Sequence, residues 1–151
     1  MNNISTIVTT QDGRNIKVTT WTSPQAKAYL QICHGMAEHI DRYQSFAEEM
    51  VRQGFNVIYH NHRGHGDNEK LGHYADTDGW EKTIQDIKDV QDHIIEDKKL
   101  PLFLFAHSMG SFIAQGFAIR HGERLAGLIL SGTNYQHPIM YHAGRMVAKI
   151  E

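Results

Sequence analysis

The chain has 151 residues, with 15 Lys plus Arg against 17 Asp plus Glu, a formal charge of −2 and no long block of either sign. That balance gives no argument for nucleic-acid binding, and no nucleic-acid partner is expected. A chain of this length fits one domain that buries about 70% of the surface its unfolded form exposes. The 40% of hydrophobic residues can fill such a core.

The single cysteine, Cys33, cannot form an internal disulfide, and the start "MNNISTIVTT" has no basic region followed by an apolar stretch. A reducing, cytoplasmic setting is therefore expected. The longest apolar run, "LPLFLFA", is far short of the roughly 18 residues of a membrane span, so any membrane contact is expected to be peripheral.

In chain order, residues 4–10 and 15–21 are rich in β-branched side chains and flank Asp12-Gly13, a dipeptide that offers the positive φ angles of a tight hairpin. Residues 26–33 predict a third strand, ending in His34-Gly35. Tyr43, Phe46, Ala47, Met50 and Val51 recur at helical spacing behind a capping candidate, Asp41, and Gly54 stops the pattern. Residues 55–60 predict the next strand, followed by a long loop to Gly79. A second helix is predicted over about 80–97, with Trp80, Ile84, Ile87, Val90, Gln91 and Ile94 on its buried side. Residues 101–106 read as a buried strand, 109–121 as a helix closed by Gly122, and 125–130 as another buried strand. Apolar strands alternating with helices imply a mostly parallel sheet covered on both faces; the fold class is α/β with an antiparallel hairpin at its start. The final stretch, "HPIMYHAGRMVAKIE", has the pattern of an opening amphipathic helix.

Ser108 falls where the fifth strand turns into its helix, within Ala-His-Ser-Met-Gly, one methyl away from the G-x-S-x-G elbow. Small residues on either side, Ala106 and Gly110, let strand and helix approach while the serine is pushed out of the turn. The N–H of Met109 opens the helix with the dipole behind it, which makes it one oxyanion donor. A second donor is expected from the loop after the third strand, where Gly35 acts as a backbone hinge that swings the Met36 N–H toward the serine. Glu38 and His39 are read as shaping that loop, and Cys33 as a packed apolar residue.

"HGMAEHIDRYQSFAEEM", "GFNVIYHNHRGHG" and "PLFLFAHSMGSFIAQG" occur in the order and spacing of the α/β-hydrolase superfamily. The chain resembles the monoacylglycerol lipases and bacterial lysophospholipases of that superfamily over nearly its whole length, as an N-terminal portion. The resemblance implies an α/β-hydrolase-like sheet truncated after about six strands, with residues 1–134 as the N-terminal part of the core and 135–151 as the start of a lid. It implies Ser108 as nucleophile, the Met36 and Met109 N–H groups as oxyanion hole, lipid carboxylic esters as substrates, and no cofactor. Two departures stand out: the family's D-x-R-G-x-G-x-S is here Asn61, Arg63, Gly64, Gly66 and Asn68, and Ala106 replaces a glycine.

A serine hydroxyl needs a histidine to take its proton and a carboxylate to orient that histidine, in the chain order Ser, acid, His. After Ser108 the chain offers only Glu123 and Glu151 as acids and His121, His137 and His142 as bases. His121 lies 13 residues along the serine's own helix, roughly 20 Å away. The triad acid and base are thus expected outside these residues, and the 151-residue chain alone is expected to be inactive.

A rival from another chemical class comes from His60, His62, His65 and Asp67, close to the H-x-H-x-D-H zinc loop of metallo-β-lactamase-like hydrolases. A non-catalytic interaction module is a third reading. Two further expectations are peripheral membrane contact through Ile139, Met140, Met146, Val147 and Ile150, and self-association through the apolar edge formed by residues 125–130.

Overall fold

The computed structural model describes residues 2–66 and 70–134; the predicted lid helix and Asp67 lie outside them. The elements are β1 (Asn2–Thr9), β2 (Asn15–Thr22), β3 (Ala28–Cys33), α1 (Gln44–Arg52), β4 (Phe55–His60), α2 (Gly79–Ile94), β5 (Leu102–His107), α3 (Met109–His121) and β6 (Gly127–Ser131). The six strands form one sheet in the order β1-β2-β4-β3-β5-β6. β1–β2 and β2–β4 pair antiparallel, while β4–β3, β3–β5 and β5–β6 pair parallel. This is the expected mostly parallel sheet with an antiparallel hairpin at its start.

Both faces are covered. Ile84 and Ile87 of α2, with Ile113, Ala114 and Phe117 of α3, pack on Cys33, Leu104 and Ala106. On the opposite face Ala47 and Val51 of α1 pack on Leu30, Ile32, Val57 and Tyr59. β3, at the centre, is buried at all six positions, which is why it shows no apolar–polar alternation; its one amide, Gln31, accepts from Gln91 of α2. β5 alternates instead: Leu102, Leu104 and Ala106 are buried, whereas Phe103, Phe105 and His107 are half-buried on the α1 face.

The order has one functional consequence. From β3 the chain crosses through α1 to β4 on one side, then returns through α2 to β5 on β3's other side. The carboxyl ends of β3 and β5 therefore flank a point where strand order reverses, and open α/β sheets place their ligand crevice at such a point.

Several local expectations are corrected. Gly13 alone of the dipeptide takes a positive φ, at 81°, because the loop spans residues 10–14, closed by Thr10 N–H to Arg14 O and Gly13 N–H to Thr10 O. Asp41 caps no helix, lying inside a single 3-10 turn, Ile40–Tyr43, that precedes α1. α2 stops at Ile94 rather than 97. Asp97 accepts the N–H of Lys99 on its side chain and that of Leu100 on its carbonyl, a local turn that competes with the helix. Trp80 is 43% exposed rather than buried. β6 begins at Gly127, because residues 122–124 form a further 3-10 turn.

Candidate active site

Ser108 sits between β5 and α3 with φ 49° and ψ −119°, one of three non-glycine residues with positive φ among those described. Such backbone costs about 1–3 kcal/mol and persists only where its surroundings fix it. Here the Ser108 N–H donates to Ser131 O at the end of β6 (2.9 Å), and the Ser108 carbonyl accepts from both Ser111 N–H (2.9 Å) and Ser111 Oγ (2.6 Å). The turn leaves Ser108 half-buried. His107 diverges from it as expected, with Nδ1 3.2 Å from Ser131 Oγ.

The loop after β3 is pressed against this turn. A Cβ added at Gly35 would stand 3.2 Å from Ser108 Cβ, and one at Gly110 would meet the backbone oxygens of Cys33 and His34 at 2.5 and 2.6 Å. Neither glycine is required by its φ: Gly110 is crowded by backbone, and Gly35 by the side chains of Glu38, whose Oε2 would lie 2.9 Å from the added Cβ, and Ser108. The structure thus brings Gly35, Met36, Ser108 and Met109 together at the carboxyl ends of β3 and β5. Met109 is the first residue of α3, so no carbonyl of its own helix takes its N–H. Its side chain is buried beneath the turn, where Tyr74 Oη donates to its sulfur at 3.1 Å.

The loop itself is held from both sides. Glu38 Oε2 accepts the Gly35 N–H (2.7 Å) and the Tyr43 hydroxyl (2.8 Å), while Oε1 accepts from Arg42 (2.7 Å). Burial pushes the Glu38 carboxyl up, yet the Gly35 N–H, Tyr43 and Arg42 outweigh it and hold the group below its ordinary value. On the other side, His34 Nδ1 lies 2.8 Å from Gly35 O, and its Nε2 accepts the His62 N–H at 2.9 Å. Burial lowers the His34 pKa to about 4, so the ring is neutral at pH 7.

Beside this loop opens a cleft of about 830 Å³, lined by Met36, Ile40, His65, Leu71 and Tyr74 among others. Met36 and Leu71 are 66% and 73% exposed, which gives the cleft apolar walls next to polar backbone.

The histidine-rich loop is built into the core. His60 and His62 are fully buried, and His60, His62, His34 and His65 stack in a chain with successive ring centroids 5.5, 4.4 and 5.2 Å apart. His65 Nδ1 lies 2.9 Å from Arg63 O. Among the described residues no group of three or more His, Cys, Asp or Glu could hold a metal ion; Asp67 of the zinc reading lies outside them. Cys33 is wholly buried and burial pushes its thiol up to about 12, which leaves a packed, unreactive residue as expected.

Sequence reasoning missed what Arg63 does. Its guanidinium, 4% exposed, is gripped through two bonds by Asp86 of α2 (2.7 and 2.6 Å) and through two by Asp12 of the hairpin (2.7 and 2.8 Å). It ties the loop after β4 to both elements. Asp86 falls on the face of α2 that turns toward the sheet, a signal that could have marked it.

Fold and site together define an α/β-hydrolase architecture in which the turn after β5 carries a serine. A family model described as "Serine aminopeptidase, S33" matches residues 24–150, and the chain belongs to that family. It is similar to a putative monoglyceride lipase of Schizosaccharomyces pombe (34% identical over 115 residues, covering 72% of this chain and 30% of the relative). It is also similar to the human monoglyceride lipase (32% over 112 residues, 69% and 34%). Among solved structures, a thermostable carboxyl esterase from Bacillus coagulans aligns with a TM-score of 0.87 at 29% identity, covering 99% of this chain and 50% of that one. The chain thus spans about a third of the length of these curated relatives and half of the esterase.

Proposed function

We propose that these residues carry the nucleophile and oxyanion hole of a serine hydrolase acting on carboxylic esters of lipids, of the monoacylglycerol or lysophospholipid type. The observation that carries this reading is the positive φ of Ser108 at the junction of β5 and α3, with the Gly35 loop pressed against it. Ser108 Oγ attacks the ester carbonyl, the Met36 and Met109 N–H groups take the oxyanion, and water releases the acyl group. The names of the two lipases and the esterase support the substrate class, and the apolar cleft beside Met36 suits an aliphatic ester.

The proton of Ser108 needs a base that the described residues do not provide. Among them no histidine nitrogen is hydrogen-bonded to Ser108 Oγ; His34 is committed to backbone on both nitrogens, and His121 packs on Phe117 in the last turn of α3. In this reading the acid and base lie on residues beyond those described.

A fluorophosphonate probe tests the nucleophile. In the protein expressed from its complete reading frame, Ser108 is labelled and Ser108→Ala abolishes both label and turnover of 4-nitrophenyl butyrate; full turnover by Ser108→Ala overturns the reading. The 151 residues alone are expected to turn over that ester slower by a factor on the order of 10⁴ to 10⁶. Ordinary lipase rates from them, lost on Ser108→Ala, would show that the base is present after all. We further place the protein in the cytoplasm, supported by its single buried free cysteine; fractionation of the source cells tests this.

A further inference from the structure

We propose that His34 and Glu38 are positioning residues that lock the two peptide planes on either side of Gly35, and so aim the Met36 N–H as an oxyanion donor. The inference rests on the serine-hydrolase reading above and names what holds its less rigid half in place.

The Met109 donor is fixed by the first turn of α3. The Met36 donor has weaker support: it lies outside any helix or strand, next to a glycine, in a turn that the Glu38 backbone N–H closes on Gly35 O at 3.4 Å. Two dihedrals at Gly35 decide where its N–H points, and glycine constrains neither. Each flanking plane is held closely by one side chain. In the His34–Gly35 peptide, the N–H donates to Glu38 Oε2 at 2.7 Å. In the Gly35–Met36 peptide, the carbonyl oxygen lies 2.8 Å from His34 Nδ1.

The chemistry of His34 fixes the direction of that second contact. Its Nε2 accepts the backbone N–H of His62 at 2.9 Å, so Nε2 carries the lone pair and Nδ1 carries the proton. Nδ1–H therefore donates to Gly35 O. The Gly35–Met36 peptide is trans, and the C=O and N–H of a trans plane point in opposite directions. Pulling Gly35 O onto the fully buried His34 ring turns the Met36 N–H away from the core, on the surface where Gly35 adjoins Ser108.

Glu38 completes the device from the solvent side. Its carboxylate is itself held by Tyr43 and Arg42, so it is a fixed acceptor rather than a mobile one. Neither residue touches the reacting atoms in this arrangement. Both act through the Gly35 backbone.

The test is a kcat against KM comparison for 4-nitrophenyl butyrate hydrolysis by the protein expressed from its complete reading frame. His34→Leu removes the donor to Gly35 O. His34→Asn restores it, because the Asn side-chain N–H stands near the Nδ1 position. Glu38→Leu removes the acceptor, and Glu38→Gln keeps an acceptor oxygen. We expect His34→Leu and Glu38→Leu to lower kcat by a factor on the order of 10 to 100 with KM within about threefold, since a misaimed oxyanion donor is felt in the transition state. His34→Asn and Glu38→Gln should recover most of that loss.

A purely structural role predicts something else: a lower melting temperature with kcat at 20 °C unchanged, and no difference between the Leu variants and their amide counterparts. That pattern overturns the proposal. Should His34→Leu fail to fold, long-range ¹⁵N–¹H spectra of the unsubstituted protein decide, the expected form being Nδ1–H with an unprotonated Nε2; the opposite tautomer overturns the proposal. Ser108→Ala separates the two levels. If it retains turnover, the serine-hydrolase reading fails and this proposal falls with it. If it is dead while the Leu variants keep kcat, only the positioning role fails.

Discussion

At the scale of single residues, two substitutions distinguish strain from close packing. Ser108 occupies a backbone conformation that a Cβ disfavours, so its position is held against a local cost by bonds from Ser131 and Ser111. Ser108→Gly removes the Cβ and with it that cost. It is expected to be more stable than Ser108→Ala by about 1 kcal/mol in urea unfolding, although both lack the hydroxyl. Equal midpoints would show that the turn is unstrained. Gly110 is the opposite case. A methyl there meets the backbone oxygens of Cys33 and His34, at the end of β3 and just after it, rather than movable side chains, so Gly110→Ala must push α3 off the sheet. The expected loss is about 1–3 kcal/mol in the same measurement.

At the scale of elements, the buried guanidinium of Arg63 joins three segments that share no strand pairing: the β1–β2 turn, the loop after β4, and α2. The two carboxylates are not equivalent. Asp86 is 1% exposed and Asp12 is 31% exposed at the side chain. Burial pushes the Asp86 carboxyl up against the pull of Arg63, whereas the hydrogen bonds from Arg63 hold Asp12 well below the usual carboxylate range. Removing one partner of a buried pair strands the other charge, at about 3–5 kcal/mol. Asp86→Ala leaves Arg63 paired with Asp12 alone and is expected to cost up to that much, and Asp12→Ala clearly less because water reaches that side of the guanidinium. Thermal or urea unfolding of the two variants checks the order.

β6 supplies a second prediction at this scale. Among the described residues it pairs only with β5, and Ile129 at its middle is 48% exposed. An unpaired apolar edge invites another strand. We propose that the 151-residue chain self-associates through it; light scattering over a concentration series should show a mass that rises with concentration, reduced in Ile129→Lys. A strictly monomeric species at high concentration counts against this.

At the scale of the whole molecule, the stacked histidines make stability depend on pH. Burial lowers His34 to about 4 and His60 to about 3, and holds His62 well below its ordinary value of 6.5. Neither nitrogen of His60 has a hydrogen-bond partner among the described residues. In the unfolded chain each of the three takes a proton as pH falls through 6.5, and in the folded chain it does not. Stability is therefore full above about pH 6.5 and falls between there and pH 4, by about 2 kcal/mol per histidine at pH 5. The depressed Asp12 adds to the loss further down, through the carboxylate range. Urea midpoints at pH 7 and pH 5 measure this, and His60→Leu is expected to shrink the difference. Midpoints that do not change between the two pH values would contradict it.

The sequence by itself determined the order of elements, the α/β class and the residues at the turn after β5. Each of these is carried by local signals: strand-length apolar runs, helical periodicity over Ile84, Ile87 and Gln91, and small residues flanking Ser108. It was less reliable at element ends, because the local turn of Asp97 and the 3-10 turn that takes in Asp41 are settled only in the folded chain. The tertiary structure alone decided what the buried polar residues do. His34, Arg63 and Asp86 meet partners up to 51 residues away, and no spacing pattern encodes a contact formed across a sheet. It also placed the rings of His60, His62 and His65 in the core around His34. The physical reason is the same throughout: apolar periodicity is written along the chain, whereas a buried polar group is assigned its role by whichever element folds over it.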